Sequence, residues 1–152
     1  MKLKKIFLVL LLSLLLSCGY KPLYTANEYK FTIADYNLNG NRQITNMLKT
    51  NFSKFKKYKD NNKILIINSN NNINKSILSK DLSGNTSSYD LKVTITIEVT
   101  SNNELLAKKT YSKNVNYNNL NSQFELKQYE KILITDLTNQ IIAEINYFLS
   151  NI

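Results

Sequence analysis

Residues 91–99 do most to limit what this chain can become. Leu91, Val93, Ile95, Ile97 and Val99 alternate without a break with Lys92, Thr94, Thr96 and Glu98. A two-residue period puts every apolar side chain on one face of an extended strand and every polar one on the other. Such a strand belongs in a sheet with one buried face and one face in water. Ser101-Asn102-Asn103-Glu104 then turns the chain, and Leu105, Ala107, Tyr111, Val115 and Tyr117 resume the period. The pattern predicts an antiparallel hairpin with one apolar face. The rest of the chain has to cover it.

Two stretches have the helical period needed for that. From Arg42, the residues Ile44, Leu48, Phe52 and Phe55 recur at helical spacing, which predicts a helix of three or four turns. Its basic end, Lys54-Phe55-Lys56-Lys57-Tyr58-Lys59, suits a solvated helix C-terminus, where cations complement the macrodipole. The same run would also suit a lipid-headgroup or phosphate patch. The second helix is expected from about Ser122 to Ser150, with Tyr129, Leu133, Leu137, Ile141, Ile145 and Phe148 or Leu149 as its stripe. Ile132, Ile134 and Ile142 widen that stripe. Ser122 can cap this helix, and Glu125 stands three residues on, in the capping-box position.

The remaining segments read as strands. Tyr29 to Tyr36 sets Tyr29, Phe31 and Ile33 against Lys30 and Thr32, and Asn37 to Asn41, with Gly40 inside it, is expected to break that strand. Lys63 to Ser69 carries Ile64-Leu65-Ile66-Ile67, an apolar run expected to be buried on both faces. Residues 70–85 are polar, punctuated by Ile73, Ile77, Leu78 and Leu82, and read as a strand extension with a turn at Ser83-Gly84-Asn85. The order is strand, helix, strand, strand, strand, helix. It predicts an α/β (α+β) fold, a two-layer sandwich with an about four-stranded mixed sheet covered on one face by two helices.

The N-terminus has a different character. Lys2, Lys4 and Lys5 precede an apolar run from Ile6 to Leu16. That run is shorter than the roughly 18 residues a membrane-spanning helix needs, and its length suits a signal peptide. It ends in Leu15-Leu16-Ser17-Cys18, which resembles the lipobox of bacterial lipoproteins. The resemblance implies cleavage before Cys18 and acylation of its thiol and new amino group. An ordinary signal followed by a stray cysteine is the alternative, but an odd free cysteine in an exported protein invites wrong pairing. Residues 1–17 are thus expected to be a lipoprotein signal, 18–28 a lipid-anchored tether containing the only proline, Pro22, and 29–152 a single domain. Gly19 stands where an aspartate would retain many proteobacterial lipoproteins at the inner membrane. Its identity points, by resemblance, to a lipid anchor in the outer membrane with the domain on the periplasmic side.

Composition removes several function classes. Residues 1–17 hold three lysines and no acid, so the formal charge falls from +9 to +6 without them. An exported basic protein rarely meets nucleic acid, and an anionic membrane or glycolipid is the better complement. The chain has no histidine, one cysteine and three glycines. It therefore lacks the usual general bases, nucleophile dyads, zinc ligands and phosphate-cradling loops, and no catalytic, metal or cofactor site is expected. An enzyme would have to use carboxylates such as Asp81 and Asp90, on a stretch where nothing perturbs them.

Three segments resemble the LptE family of lipopolysaccharide-assembly lipoproteins, in particular its alphaproteobacterial branch. Cys18-Gly19-Tyr20-Lys21-Pro22-Leu23-Tyr24 is similar to that branch's opening. Gly84-Asn85-Thr86-Ser87-Ser88-Tyr89 resembles the turn into its third strand. Val115-Asn116-Tyr117-Asn118 and Asn121-Ser122-Gln123-Phe124 resemble its passage from fourth strand to final helix. The resemblance implies an LptE-like domain over 29–152 that plugs an LptD-type outer-membrane barrel, assists its assembly and binds lipopolysaccharide. It also implies ligand contacts from basic residues in the loop before the third strand, where this chain offers Lys75 and Lys80 but has Leu82 nearest the glycine turn. The ordinary reading of those two lysines is a solvated surface. A pilotin-like chaperone of another secretion channel shares the anchor and the size and is the alternative.

Overall fold

The structure, a computed structural model, describes residues 31–56 and 63–152. Its elements are β1 (Phe31–Gly40), α1 (Arg42–Phe52) with a 3-10 turn at Ser53–Phe55, β2 (Lys63–Lys80), β3 (Thr86–Ser101), β4 (Glu104–Asn118) and α2 (Gln123–Ser150). The four strands form one sheet in the order β1-β2-β3-β4. β1 runs parallel to β2 and the other pairs are antiparallel, so the sheet is mixed as expected. Both helices pack on one face. Ile44, Leu48 and Phe52 from α1 meet Leu137, Ile141, Ile145 and Leu149 from α2 over Leu65, Ile67, Val93, Ile95, Ile97 and Val99. A smaller cluster of Leu91, Tyr117 and Leu126 extends this core toward the start of α2.

Helix starts are fixed by side-chain caps. The Asn41 carboxamide oxygen accepts from the N–H groups of Gln43 and Ile44, and the Ser122 hydroxyl accepts from the N–H of Glu125. Each satisfies donors that the first helical turn leaves without partners. The β3–β4 hairpin turns at Asn102 and Asn103, with φ of 51° and 65°. Asparagine tolerates this left-handed pair, and its twist matches that of the flanking strands.

Several details depart from the sequence reading. β1 does not break at Asn37 but stays paired with β2 through Gly40, and only Asn41 ends it. A bulge between Ile33 and Asp35 inserts one residue, so Phe31 and Ile33 face the core before it, and Tyr36 and Leu38 pack there after it. The run Ile64–Ile67 is buried on one face only. Leu65 and Ile67 are fully buried, whereas Ile64 and Ile66 are 42% and 38% exposed on the face without helices. Leu105 is exposed, because the β3–β4 register shifts next to it, between Val99 and Thr100. On α2, Tyr129 and Ile132 are exposed, and Leu126 and Thr138 are buried with Leu137, Ile141, Ile145 and Leu149. The Thr138 hydroxyl donates to the Ile134 carbonyl, so its burial leaves no orphan donor.

The face without helices is polar and mostly uncharged. Across β3 and β4, Thr94 faces Ser112, Thr96 faces Thr110 and Asp90 accepts from Asn114. Asn68, Asn70, Asn72 and Asn74 of β2 pair with β3 along the same face.

Candidate functional site

The end of the sheet where the β2–β3 hairpin turns combines exposed apolar side chains with a charged and aromatic cluster. The turn is built by Asp81. Its carboxylate accepts from the N–H groups of Ser83 and Asn85, both at 2.9 Å, and Gly84 takes φ +85°. Leu82 stands fully exposed at this turn, and Ile77 and Leu78 are more than half exposed just before it. Lys80, at the end of β2, is exposed beside them and forms no ion pair among the described residues.

Lys75 has a different setting. Its ammonium lies 2.6 Å from Glu130 Oε1 on α2 and 3.8 Å from the centre of the Tyr89 ring. The Tyr117 hydroxyl donates to the same carboxylate oxygen at 2.7 Å. Tyr117 stacks on Tyr89 at 5.5 Å and meets Tyr129 edge-on at 6.0 Å. Burial on its own would raise the Glu130 carboxyl, but the bonds from Lys75 and Tyr117 and the charges of Lys75 and Lys127 hold it below its ordinary value. The Tyr117 phenol is pushed up by burial, by its bond to Glu130 and by that carboxylate's charge. The cluster is therefore a fixed Lys⁺–Glu⁻–tyrosine unit that ties β2, β3 and β4 to α2.

Both sequence-predicted lysines lie on strand β2 and not in a loop, because β2–β3 pairing continues out to Lys80 and Thr86. A step of five positions along the strand sets them about 17 Å apart. The structure does not bring them together: Lys75 is committed to Glu130 and Tyr89, and Lys80 faces solvent. Cys18, the expected acylation site, lies outside the described residues, as do Lys57 and Lys59 of the basic run. Asp81 and Asp90 do not form a carboxylate pair, since Asp81 builds the turn and Asp90 accepts from Asn114 on the polar face. Among the described residues no three of His, Cys, Asp and Glu converge on a metal position. None of their helices is long and apolar enough to cross a membrane.

Glu130, Tyr89 and Tyr117 were not singled out from the sequence as a cluster. One signal was available. Glu130 sits among Leu126, Leu133, Ile134 and Leu137 on the inward side of α2, where an acid needs a partner.

Comparison with known proteins agrees with this architecture. A family model described as LptE, lipopolysaccharide-assembly, matches residues 28–147. Among solved structures, rare lipoprotein B from Shewanella oneidensis superposes with a TM-score of 0.59 at 12% identity, over 77% of this chain and 94% of that one. A minor lipoprotein from Acinetobacter baumannii gives 0.57 at 14% identity, over 80% and 93%. Lipoprotein B from Nitrosomonas europaea gives 0.56 at 20% identity, over 76% and 79%. These three are alike in fold. No curated protein matches the sequence significantly. With the family match covering most of the chain, over the same four strands and two helices, this protein belongs to the LptE family of lipopolysaccharide-assembly proteins.

Proposed function

We propose that this chain is a lipid-anchored component of the outer membrane, on its periplasmic side, that plugs an LptD-type barrel and assists its assembly. In that complex it takes part in lipopolysaccharide transport to the cell surface. It acts by shape and binding and carries out no bond chemistry. The observation that carries the reading is the family match over residues 28–147. The polar sheet face of Asn, Thr and Ser is consistent with it, because the lumen of a large barrel is polar. Acylation at Cys18 would hold the domain close to that lumen and raise its effective concentration there.

Within this reading, the hairpin end supplies both halves of an amphiphile contact. Leu82, Ile77 and Leu78 offer apolar surface for acyl chains, and Lys80 offers a cation for phosphate. Lys75 helps by fixing the strand through Glu130 and adds positive charge next to Tyr89.

The test is extraction of tagged protein from its own cells in mild detergent, with identification of any co-purifying barrel, together with depletion. One-to-one recovery of an LptD-type barrel, and loss of surface lipopolysaccharide on depletion, is the expected result. Recovery of another secretion channel, or normal surface lipopolysaccharide after depletion, would refute the assignment. Cys18→Ala should abolish palmitate labelling and outer-membrane fractionation. Lys80→Glu should weaken lipopolysaccharide binding, and binding to the unaltered chain should fall as salt rises.

A further inference from the structure

β4 is an edge strand, and its outer side is regular over an unusual length. Its register with β3 runs unbroken from Ala107, opposite Val99, to Asn118, opposite Ser88. The Asn119 N–H donates to the Ser87 carbonyl, so odd-numbered residues point their backbone groups inward to β3. In an antiparallel ladder the alternate residues then point theirs outward. Lys108, Thr110, Ser112, Asn114 and Asn116 therefore present N–H and C=O groups along the free edge. Among the described residues no further strand pairs with them. A long, regularly paired edge without proline is a template for another strand.

We propose that this edge accepts an extended segment of the barrel partner by strand addition. The inference rests on the function proposed above and assigns the surface through which that partner docks. Two observations select the occupant. First, the Thr96–Thr110, Thr94–Ser112 and Asp90–Asn114 contacts form a hydroxyl and amide ladder that stops at β4. A segment with Ser, Thr or Asn on that face would continue it. Second, the charges beside the edge are lysines. Lys108 is paired with Glu98 and Lys113 with Glu144, but Lys109 lies between the rings of Tyr111, at 5.2 Å, and Phe148, at 4.9 Å, with no carboxylate among the described residues. A carboxylate on the added segment would neutralise Lys109. A second copy of β4, paired antiparallel with Thr110 opposite Ser112, would instead set Lys109 against Lys113, and like charges across strands repel. The partner segment is therefore extended, hydroxyl- or amide-bearing on one face and acidic on the other.

The test is hydrogen–deuterium exchange, resolved by residue, on the full chain alone and in its co-purified complex with the barrel. The N–H groups of Thr110, Ser112, Asn114 and Asn116 should exchange fast in the free chain and slow at least 100-fold in the complex. Ser112→Pro and Asn116→Pro each remove an outward donor and leave the β3 ladder intact, so both variants should fold and bind the barrel at least tenfold more weakly. If either variant fails to fold, the exchange comparison on the unaltered chain still decides. A complex in which these four groups exchange as in the free chain overturns the inference and leaves the proposed function standing. Failure to recover any LptD-type barrel overturns both. Protection already present in the isolated chain, with a dimer mass in sedimentation, assigns the edge to a second copy and overturns the choice of occupant.

Discussion

Among the described residues two glycines take positive φ, and the contrast between them measures how tightly β1 is tied to β2. Gly40 has φ +118° and Gly84 has φ +85°. A Cβ on Gly84 would meet nothing within 4 Å, so Gly84→Ala should cost only the left-handed penalty of about 1–2 kcal/mol. A Cβ on Gly40 would lie 2.0 Å from the Asn71 carbonyl oxygen and 2.8 Å from Asn71 Oδ1. The first of these is backbone, and it cannot rotate away. Asn71 is itself held, because its amide donates to the Asn39 carbonyl at 2.8 Å and to the Thr45 hydroxyl at 3.2 Å, joining β2 to β1 and α1. Gly40→Ala must therefore part the strands or break those bonds, adding about 1–3 kcal/mol of overpacking to the same conformational cost. The sum, roughly 2–5 kcal/mol, is a large share of the 5–15 kcal/mol that keeps a domain folded. The assay is urea and thermal unfolding of both variants beside the unaltered chain. Gly40→Ala should unfold at least about 2 °C below Gly84→Ala, from an extra cost of about 1–3 kcal/mol at about 2–8 °C per kcal/mol for domains of this size range. Equal midpoints for the two variants would refute the steric argument.

Other perturbations follow from the same geometry. Leu137→Asp sets a charge on a residue only 5% exposed, between α2 and the sheet, and should unfold the chain or lower its melting temperature by more than 10 °C in a thermal scan. Tyr111→Phe removes a buried hydroxyl that has no hydrogen-bond partner among the described residues, so unfolding in urea at pH 7 should show unchanged or higher stability. Burial and the charge of Glu144 push that phenol up to about 12. Its ionisation thus leaves stability untouched below the ordinary value of 10 and lowers it as pH rises from there toward about 12, and Tyr111→Phe should lessen this alkaline loss. Glu130 has the opposite sign. Its lowered carboxyl stabilises the fold above the ordinary value of 4.5, and that contribution is lost as pH falls through and below it. Glu130→Gln should be less stable than the parent at pH 7, and the gap should close in acid.

What the sequence revealed, and what it hid, follows from the range of the interactions involved. The strand at 91–99 was legible because its two faces meet opposite environments, the helices on one side and solvent on the other. The same logic failed at Ile64–Ile67, where apolar residues occupy both faces although only one has a covering layer. β1 runs on past Asn37 although Asn37–Asn41 with Gly40 reads as a breaker, and the bulge that turns Tyr36 and Leu38 back to the core has no local sign at Ala34-Asp35. The inner stripe of α2 was shifted at its start. Tyr129 fits the period as well as Leu126 does, and packing against Leu91 and Tyr117 decides between them. The Lys75–Glu130 pair joins residues 55 apart, so no local spacing could show it. The separation of Lys75 and Lys80 along β2 and the commitment of Lys75 to Glu130 become visible only with strand register in hand.

The distribution of apolar surface bears on how this chain meets a partner. Its large apolar side chains are mostly spent internally: Phe52, Ile95, Ile97, Ile141 and Ile145 are fully buried between the sheet and its two helices. The opposite face is held by Thr–Thr, Thr–Ser and Asp–Asn pairs, each worth about 0.2–1 kcal/mol. Among the described residues neither face leaves a broad apolar surface that would make folding depend on association. The chain should therefore fold alone and dock preformed, with ordering on binding confined to its partner's segments and its own edges. Made in cells depleted of the proposed barrel partner, it should melt cooperatively, with the N–H groups of Val93, Ile95 and Ile97 as slow to exchange as in the proposed complex. A broad, non-cooperative melt with fast exchange at those three residues would show that the sheet needs its partner to form.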